Sequence, residues 1–128
     1  MPDIIIYHNG ECSKSKGALE LLLERGIPHI VRWYLAEPLT PSELMQLLGK
    51  LRMQPSQLIR KHEALYLARY QDKEIPETEW FTILIENPIL LERPIVEYGH
   101  YAVVARPAER MFEIIPTEPS VGGENGLS

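Results

Sequence analysis

The only cysteine of the chain, Cys12, is the first candidate for chemistry. It follows a short β-branched run and a turn signal at 8–10, at the predicted first turn of a helix. Unpaired backbone N–H groups and the dipole at a helix start favour a thiolate over a thiol. The same groups, from about Ser13 to Ser15, can bind an oxyanion. The sequence therefore predicts a nucleophilic sulfur beside an oxyanion site, with a buried structural cysteine as the alternative.

Arginines could supply the positive charge that such a site needs, because a thiolate and an oxyanion repel each other. Arg93 and Arg106 flank the predicted strands 95–98 and 101–104, so both fall at the open end of one antiparallel pair. Neighbouring strands lie roughly 5 Å apart, which lets two guanidinium groups converge on one oxyanion. Two solvated surface arginines are the alternative interpretation. Geometry alone gives no position for Arg60.

His8 precedes Cys12 on the turn that leaves the first predicted strand. It could hydrogen-bond near the sulfur and help to lower the pKa of the thiol, whereas a loop histidine without a role is the alternative. The other histidines, at 29, 62 and 100, have no ligand spacing, so we expect no metal site and no bound cofactor.

The elements that position these residues begin with a strand, a helix and a strand. We predict a strand over Ile4–Tyr7, a helix from Cys12 to about Glu24 that Gly26 ends, and a second strand over His29–Tyr34. Strands joined through a helix should be parallel. The helix should bury one face that carries Leu19, Leu22 and Leu23.

A helical block of about 36–90 follows, and its first helix begins at a capping box that contains Thr40 and Glu43. Further short helices are predicted at 56–60, 62–70 and 77–86. A hairpin of strands 95–98 and 101–104, turning at Gly99-His100, and a last helix from Pro107 to about Ile114 complete the order. We expect the aromatic residues to pack in the core or between helices, namely Trp33, Trp80 and Phe81.

Without the helical block, this order is the α/β thioredoxin-like fold, with a mixed four-stranded sheet. Pro94 lies where that fold carries a cis-proline, although the sequence does not decide the isomer. We expect one domain over 1–116, with the block inserted between the β-α-β unit and the hairpin, and a flexible tail over 117–128.

Composition limits the class of function. The chain has 128 residues, 45% of them hydrophobic, and a net charge of −5, which is unfavourable for a broad nucleic-acid-binding face. No apolar run approaches the ~20 residues of a membrane span, and the first residues lack the pattern of a signal peptide. A lone cysteine suits a reducing compartment, so we expect a cytoplasmic protein without nucleic-acid or membrane partners.

Three segments together resemble a known family. Residues 8–16 read His-Asn-x-x-Cys-Ser-Lys-Ser-Lys, residues 87–96 read Asn-Pro-Ile-Leu-Leu-Glu-Arg-Pro-Ile-Val, and Arg-Pro stands at 106–107. This pattern is similar to that of the ArsC-type arsenate reductases and extends from about Ile4 to Pro116. Gly10 departs from it, since a proline is common after His-Asn in the family.

The resemblance implies a reaction and its partners. Cys12 would attack arsenate, and glutathione would attack the resulting thiol–arsenate adduct. Arsenite would then leave, and glutaredoxin would resolve the mixed disulfide, because the chain offers no second thiol. The resemblance assigns oxyanion binding to Arg60, Arg93 and Arg106, and tuning of the nucleophile to His8. We add Ser15, at the helix start, to the predicted oxyanion-binding residues.

Two other functions stay open from the sequence. The first is a regulatory binding protein of the Spx type, which also has a thioredoxin-like fold. Those regulators usually carry a Cys-x-x-Cys pair, whereas Ser15 stands three residues after Cys12 here. The second is a glutathione-dependent thiol reductase that acts on a substrate other than arsenate.

Overall fold

The computed structural model describes residues 3–8 and 13–116, the latter with side chains from residue 17 onward. In chain order its strands and α-helices are β1 (Ile4–His8), α1 (Ser13–Glu24), β2 (Ile30–Trp33), α2 (Pro41–Leu51), α3 (Ala64–Arg69), α4 (Glu77–Glu86), β3 (Ile95–Tyr98) and β4 (Tyr101–Val104). Three 3₁₀ helices accompany them at Pro55–Leu58, Pro88–Leu90 and Ala108–Glu113. Both hairpin strands have the predicted bounds.

The four strands form one mixed sheet in the order β2-β1-β3-β4. β1 and β2 are parallel, while β3 is antiparallel to both β1 and β4. The predicted α/β thioredoxin-like sheet is therefore confirmed. Tyr7 pairs with Ile95, which in turn pairs with Val104. Because of this register, β1 and β4 terminate at the same end of the sheet at which β3 begins.

The sheet buries an apolar layer on each face. On one face, α1 and the last 3₁₀ helix cover a cluster that contains Ile4, Ile6, Ala18, Leu22, Val96, Val103 and Met111. On the other face, the helices between β2 and β3 cover a second cluster that contains Tyr7, Leu44, Leu47, Leu58, Trp80, Leu90 and Ile95. Alternate residues of one strand thus serve two cores, as the period of two requires.

Local capping follows the sequence closely. Gly26 has a positive φ of 63°, and the N–H groups of Gly26 and Ile27 donate to the carbonyls of Leu23 and Leu22 at the end of α1. At the start of α2, the hydroxyl of Thr40 accepts from the backbone N–H of Glu43, whose carboxylate accepts from the N–H of Thr40.

Several expectations about packing were wrong. Leu23 is 68% exposed, because the buried stripe of α1 passes through Ala18 and Leu22. Trp33 is 47% exposed, because it ends β2, which is an edge strand. Trp80 is buried as expected, whereas the predicted last helix is a 3₁₀ helix.

Two proline residues of the described structure follow cis peptide bonds. The Arg93–Pro94 and Arg106–Pro107 peptide bonds are both cis. The predicted tail over 117–128 lies outside the described residues. Within residues 3–8 and 13–116, no helix has the length and apolar character to cross a membrane.

Candidate functional site

Arg93 and Arg106 lie beside each other at the end of the sheet where β3 begins and β4 terminates. The backbone N–H of Ala105 donates to the carbonyl of Pro94 at 2.9 Å, which extends the strand pairing by one step. Beyond this bond, Nη1 of Arg106 lies 3.4 Å from the backbone carbonyl oxygen of Arg93. The hairpin thus brings together the two arginines that its geometry predicted to converge.

Arg60 reaches the same place from the helical block. An isolated antiparallel bridge pairs Ile59 with Leu91. Around it, the N–H of Arg60 donates to the carbonyl of Leu90 at 2.7 Å, and the N–H of Glu92 donates to the carbonyl of Leu58 at 2.8 Å. Arg60 is therefore held by main-chain hydrogen bonds next to the segment that leads into β3.

Glu92 contacts Arg106, the backbone of Arg93 and, at a longer distance, Arg60, and it was not among the predicted site residues. Its Oε1 accepts from Nη1 of Arg106 at 2.7 Å, and from the backbone N–H of Arg93 at 3.3 Å. Nε of Arg60 lies 3.9 Å from the same oxygen, which is an ion pair but too long for a hydrogen bond. The place of Glu92 directly before Arg93 is the one hint in the sequence, and that place does not reveal the contacts with Arg60 and Arg106. We call Arg60, Glu92, Arg93 and Arg106 the arginine cluster.

The charge of the arginine cluster is partly compensated. Besides Glu92, the carboxylate of Glu63 pairs with Nη1 of Arg60 at 3.0 Å. Two carboxylates against three guanidinium groups leave one net positive charge in this part of an acidic protein. The net positive charge of the cluster would therefore attract a dianionic ligand, while the two carboxylates keep most of the cationic charge paired.

Arg93 is the most buried member of the cluster, with 6% of the residue exposed. Its Nε and Nη1 are fully buried and have no hydrogen-bond partner within the described part of the chain. Nε of Arg60 also lacks a hydrogen bond there. Buried polar donors are normally bonded, and an unsatisfied one costs about 1–3 kcal/mol. These N–H groups are therefore the donors to which an anionic ligand could bind.

His8 ends β1 and is 2% exposed. Its ring packs against Trp33, with 5.0 Å between ring centroids and an interplanar angle of 57°. Parallel pairing of His8 with Trp33 accounts for this contact. His8 is thus a buried residue at the end of β1, on the same end of the sheet as Arg93, which precedes β3.

The two remaining predicted site residues fall where little is described. Cys12 lies outside the described residues. Ser15 belongs to α1, of which only the backbone is described at that position. The helix begins at Ser13, the residue that follows Cys12 in the sequence. Among the residues described, no group of three or more His, Cys, Asp and Glu side chains could hold a metal ion.

A second polar network lies under α2, on the other side of the sheet from α1. The hydroxyl of Tyr7 donates to Oε1 of Glu97 at 2.5 Å, and Nζ of Lys50 pairs with Oε2 of the same carboxylate. Burial, followed by the hydrogen bond and the charge of Glu97, raises the pKa of Tyr7 far above its usual range. Tyr7 therefore keeps its proton and donates it in a hydrogen bond to Glu97.

Arg32 and Glu43 form a further pair at the rim of this network. Nη1 and Nη2 of Arg32 donate to the two carboxylate oxygens of Glu43 at 2.9 and 3.0 Å. These bonds, together with the hydrogen bond from the backbone N–H of Thr40, lower the pKa of Glu43 to about 2. The pair fastens α2 to the edge strand β2.

Chemically, the two polar regions offer different possibilities. Glu97 has a donor on each oxygen and needs no further partner. The arginine cluster instead has buried N–H donors to spare, an internal carboxylate and a net positive charge. It is the part of the described structure best suited to bind a tetrahedral oxyanion.

Known proteins resemble this chain over most of its length. A sequence model of the ArsC family matches residues 7–114. An arsenate reductase of Haemophilus influenzae is 37% identical over 114 residues, which cover 88% of this chain and 98% of that protein. The uncharacterized protein YfgD of Escherichia coli is 38% identical over 112 residues, or 86% of this chain and 94% of YfgD.

A solved structure agrees with these matches. The arsenate reductase from Vibrio cholerae superimposes with a TM-score of 0.81 at 34% identity, over 89% of this chain and 98% of that one. Sequence and structure therefore concur over the sheet, the helical block and the hairpin that together carry the arginine cluster. This chain belongs to the ArsC family.

Proposed function

We propose that the protein reduces arsenate to arsenite through a nucleophilic Cys12, with glutathione and glutaredoxin as the reductants. Membership of the ArsC family supports the class of reaction. The names of the similar proteins from Haemophilus influenzae and Vibrio cholerae support arsenate as the substrate. The cytoplasm, where glutathione is abundant, is the compartment that this reaction requires.

One observation carries the proposal for the described residues. The guanidinium of Arg93 is buried, and two of its nitrogens have no hydrogen-bond partner in the described part of the chain. Arg60 and Arg106 both pair with Oε1 of Glu92 at the same end of the sheet. A tetrahedral oxyanion offers the acceptors that these donors need, and charge-assisted hydrogen bonds to it are the strong kind.

The chemistry begins with attack of the Cys12 thiolate on arsenic(V). A sulfur–arsenic bond forms, and one oxygen leaves as water after protonation. Cys12 immediately precedes α1, whose first N–H groups and dipole favour the thiolate and the oxyanion alike. We assign Ser15 to this helix start as an oxyanion-binding residue, and His8, at the end of β1, to lowering the pKa of the thiol.

Glutathione then completes the reduction. Its thiolate attacks the sulfur of Cys12, and the electron pair of the sulfur–arsenic bond passes to arsenic. Arsenic(V) becomes arsenic(III), arsenite leaves, and Cys12 is joined to glutathione by a disulfide. The sequence has no second cysteine, so a thiol of glutaredoxin attacks the glutathione sulfur and releases the Cys12 thiolate.

A coupled assay tests this function. We expect arsenate-dependent oxidation of NADPH when the protein is mixed with glutathione, glutathione reductase and glutaredoxin. Cys12→Ser should abolish this oxidation, whereas Arg69→Ala, which changes an exposed arginine of α3, should leave it unchanged. Omission of glutaredoxin should stop turnover after the first cycle. A wild-type protein without arsenate-dependent oxidation would refute the proposal.

A further inference from the structure

Glu92 is a carboxylate in the middle of a site that the proposed function assigns to an anion. Its Oε1 bonds to Arg106 and lies 3.9 Å from Nε of Arg60. We propose that Glu92 selects oxyanions that still carry a proton, such as hydrogen arsenate and hydrogen phosphate, against sulfate, which carries none. This inference rests on the proposed oxyanion site and adds to it a rule for the choice of ligand.

The geometry leaves one oxygen of Glu92 for a ligand. Within the described part of the chain, both hydrogen bonds of this side chain end on Oε1, one from Arg106 and one from the N–H of Arg93. The side chain is 26% exposed, so it is neither enclosed by protein nor fully in solvent. Oε2 is therefore an acceptor without a protein donor among the residues described.

The donors that would hold the rest of the ligand belong to Arg93 and Arg60. Nε and Nη1 of Arg93, and Nε of Arg60, are buried without hydrogen bonds in the described structure. The carboxylate of Glu92 lies 3.9 Å from Nε of Arg60 and accepts from the backbone N–H of Arg93, so an anion held by these two arginines would have another of its oxygens near Glu92. The cluster thus presents several donors and one acceptor to a tetrahedral ligand.

Such a set distinguishes two ligands of equal charge and similar shape. In mildly alkaline solution phosphate is mostly the hydrogen phosphate dianion, whose hydroxyl can donate to a carboxylate. Sulfate is a dianion with acceptors only, so one of its oxygens would face Glu92 with lone pairs and no proton. Specificity by a repulsive group of this kind excludes the wrong ligand more strongly than added attraction favours the right one.

The contact with Arg106 explains why the carboxylate of Glu92 should stay in place. Their contact of 2.7 Å is a charge-assisted hydrogen bond, and the backbone N–H of Arg93 holds the same oxygen. A glutamine at this position would keep an acceptor for Arg106. It would, however, place an N–H₂ donor where the carboxylate offers an acceptor, which reverses the preference.

The test measures binding of inorganic phosphate and of sulfate to the full chain by calorimetry, in mildly alkaline buffer at constant ionic strength. We expect wild type to bind phosphate at least about tenfold more tightly than sulfate. In Glu92→Gln, sulfate should bind more tightly and phosphate more weakly, so that the ratio falls to within about twofold or inverts. Glu63→Gln removes an equal charge from Arg60 and is the matched control, in which the ratio should persist.

Other outcomes would overturn the inference. If both anions bind Glu92→Gln more tightly by the same factor, Glu92 is only a competing charge. If the ratio is unchanged, or if wild type binds sulfate as well as phosphate, Glu92 does not select; the latter result needs no variant to fold. If the wild-type protein does not turn over arsenate but still prefers phosphate to sulfate, the proposed reaction is refuted and this inference stands.

Discussion

The arginine cluster and the network of Tyr7, Lys50 and Glu97 both place charged groups against the same sheet, but they differ in how their hydrogen bonds are satisfied. In the network, each carboxylate oxygen of Glu97 has a donor, from Tyr7 on one side and Lys50 on the other. In the cluster, Arg93 is buried with two nitrogens that lack a hydrogen bond among the residues described. The first region is complete, whereas the second has donors in excess.

This difference separates a structural role from the binding role that we propose for the cluster. A completed network fastens α2 to β1 and β3, and its removal should cost stability. A cluster with buried donors in excess is destabilising for the free protein, and the cost is recovered when a ligand supplies the acceptors. Variants of the two regions should therefore have opposite effects on stability and on affinity.

The largest expected effect is on ligand affinity. Arg93→Ala should weaken phosphate binding by about 1.5–3 kcal/mol, since it removes the least satisfied charged donors of the cluster. Calorimetry with inorganic phosphate measures this loss. The free energy of unfolding should fall little or even rise, because a buried charge without a complete set of partners disappears.

Arg69→Ala, in an exposed position on α3, is the matched control and should change neither quantity. A variant Arg93→Ala that binds phosphate as well as wild type, or that unfolds far more easily, would place Arg93 among the structural residues and remove the contrast.

The next effect concerns stability. Glu97→Ala leaves both Tyr7 and Lys50 without their acceptor, so we expect the free energy of unfolding to fall by about 2 kcal/mol, with phosphate affinity unchanged. Urea unfolding at neutral pH gives the first quantity and calorimetry the second.

Tyr7→Phe is a smaller change in the same network. It removes only one hydroxyl and leaves Lys50 on the carboxylate, so about 1 kcal/mol should be lost. Equal losses in the two variants would show that the Lys50 pair contributes nothing.

The smallest effect is at the rim of the network and depends on pH. Arg32 and the N–H of Thr40 lower the pKa of Glu43 to about 2, below the value of about 4.3 for an unfolded chain. Its stabilisation is therefore present above about pH 4.3 and is lost as the pH falls through about 2. The side chain is 41% exposed, so solvent screening should limit the contribution to below about 1 kcal/mol.

Glu43→Gln should accordingly lower stability at neutral pH and converge with wild type in strong acid. Urea unfolding of both proteins across this range measures the difference, and Glu20→Gln, on the exposed side of α1, is the control. A difference that stays constant down to pH 2 would contradict the assignment of the shift to ionised Glu43.

Local signals in the sequence located most of the fold. The hairpin strands, the capping box at Thr40 and Glu43, and the glycine that ends α1 have the predicted positions, because each depends on residues a few positions apart. The burial of Leu23 and Trp33 was predicted wrongly. A hydrophobic residue at helical or strand spacing does not reveal which part of a helix face, or which edge of a sheet, remains uncovered.

The site was less predictable than the fold. Arg93 and Arg106 could be brought together from the hairpin alone, since strand pairing fixes their separation. Arg60 could not, because a bridge between two irregular segments, Ile59 and Leu91, positions it. Glu92 was missed for the same reason: its partners are distant in the sequence, and only the folded chain shows which charges a carboxylate meets. The roles of Cys12, His8 and Ser15, and oxyanion binding by the three arginines, stay predictions.

The bridge between Ile59 and Leu91 also bears on how the family could diversify. The helical block is inserted in the thioredoxin-like frame, yet it contributes Arg60 through main-chain bonds to the segment before β3. An ancestral or engineered chain in which the block is excised would retain His8, Arg93 and Arg106 but would lose one of three guanidinium groups. The block is thus a part of the arginine cluster, and changes in its packing would shift Arg60 without alteration of the sheet.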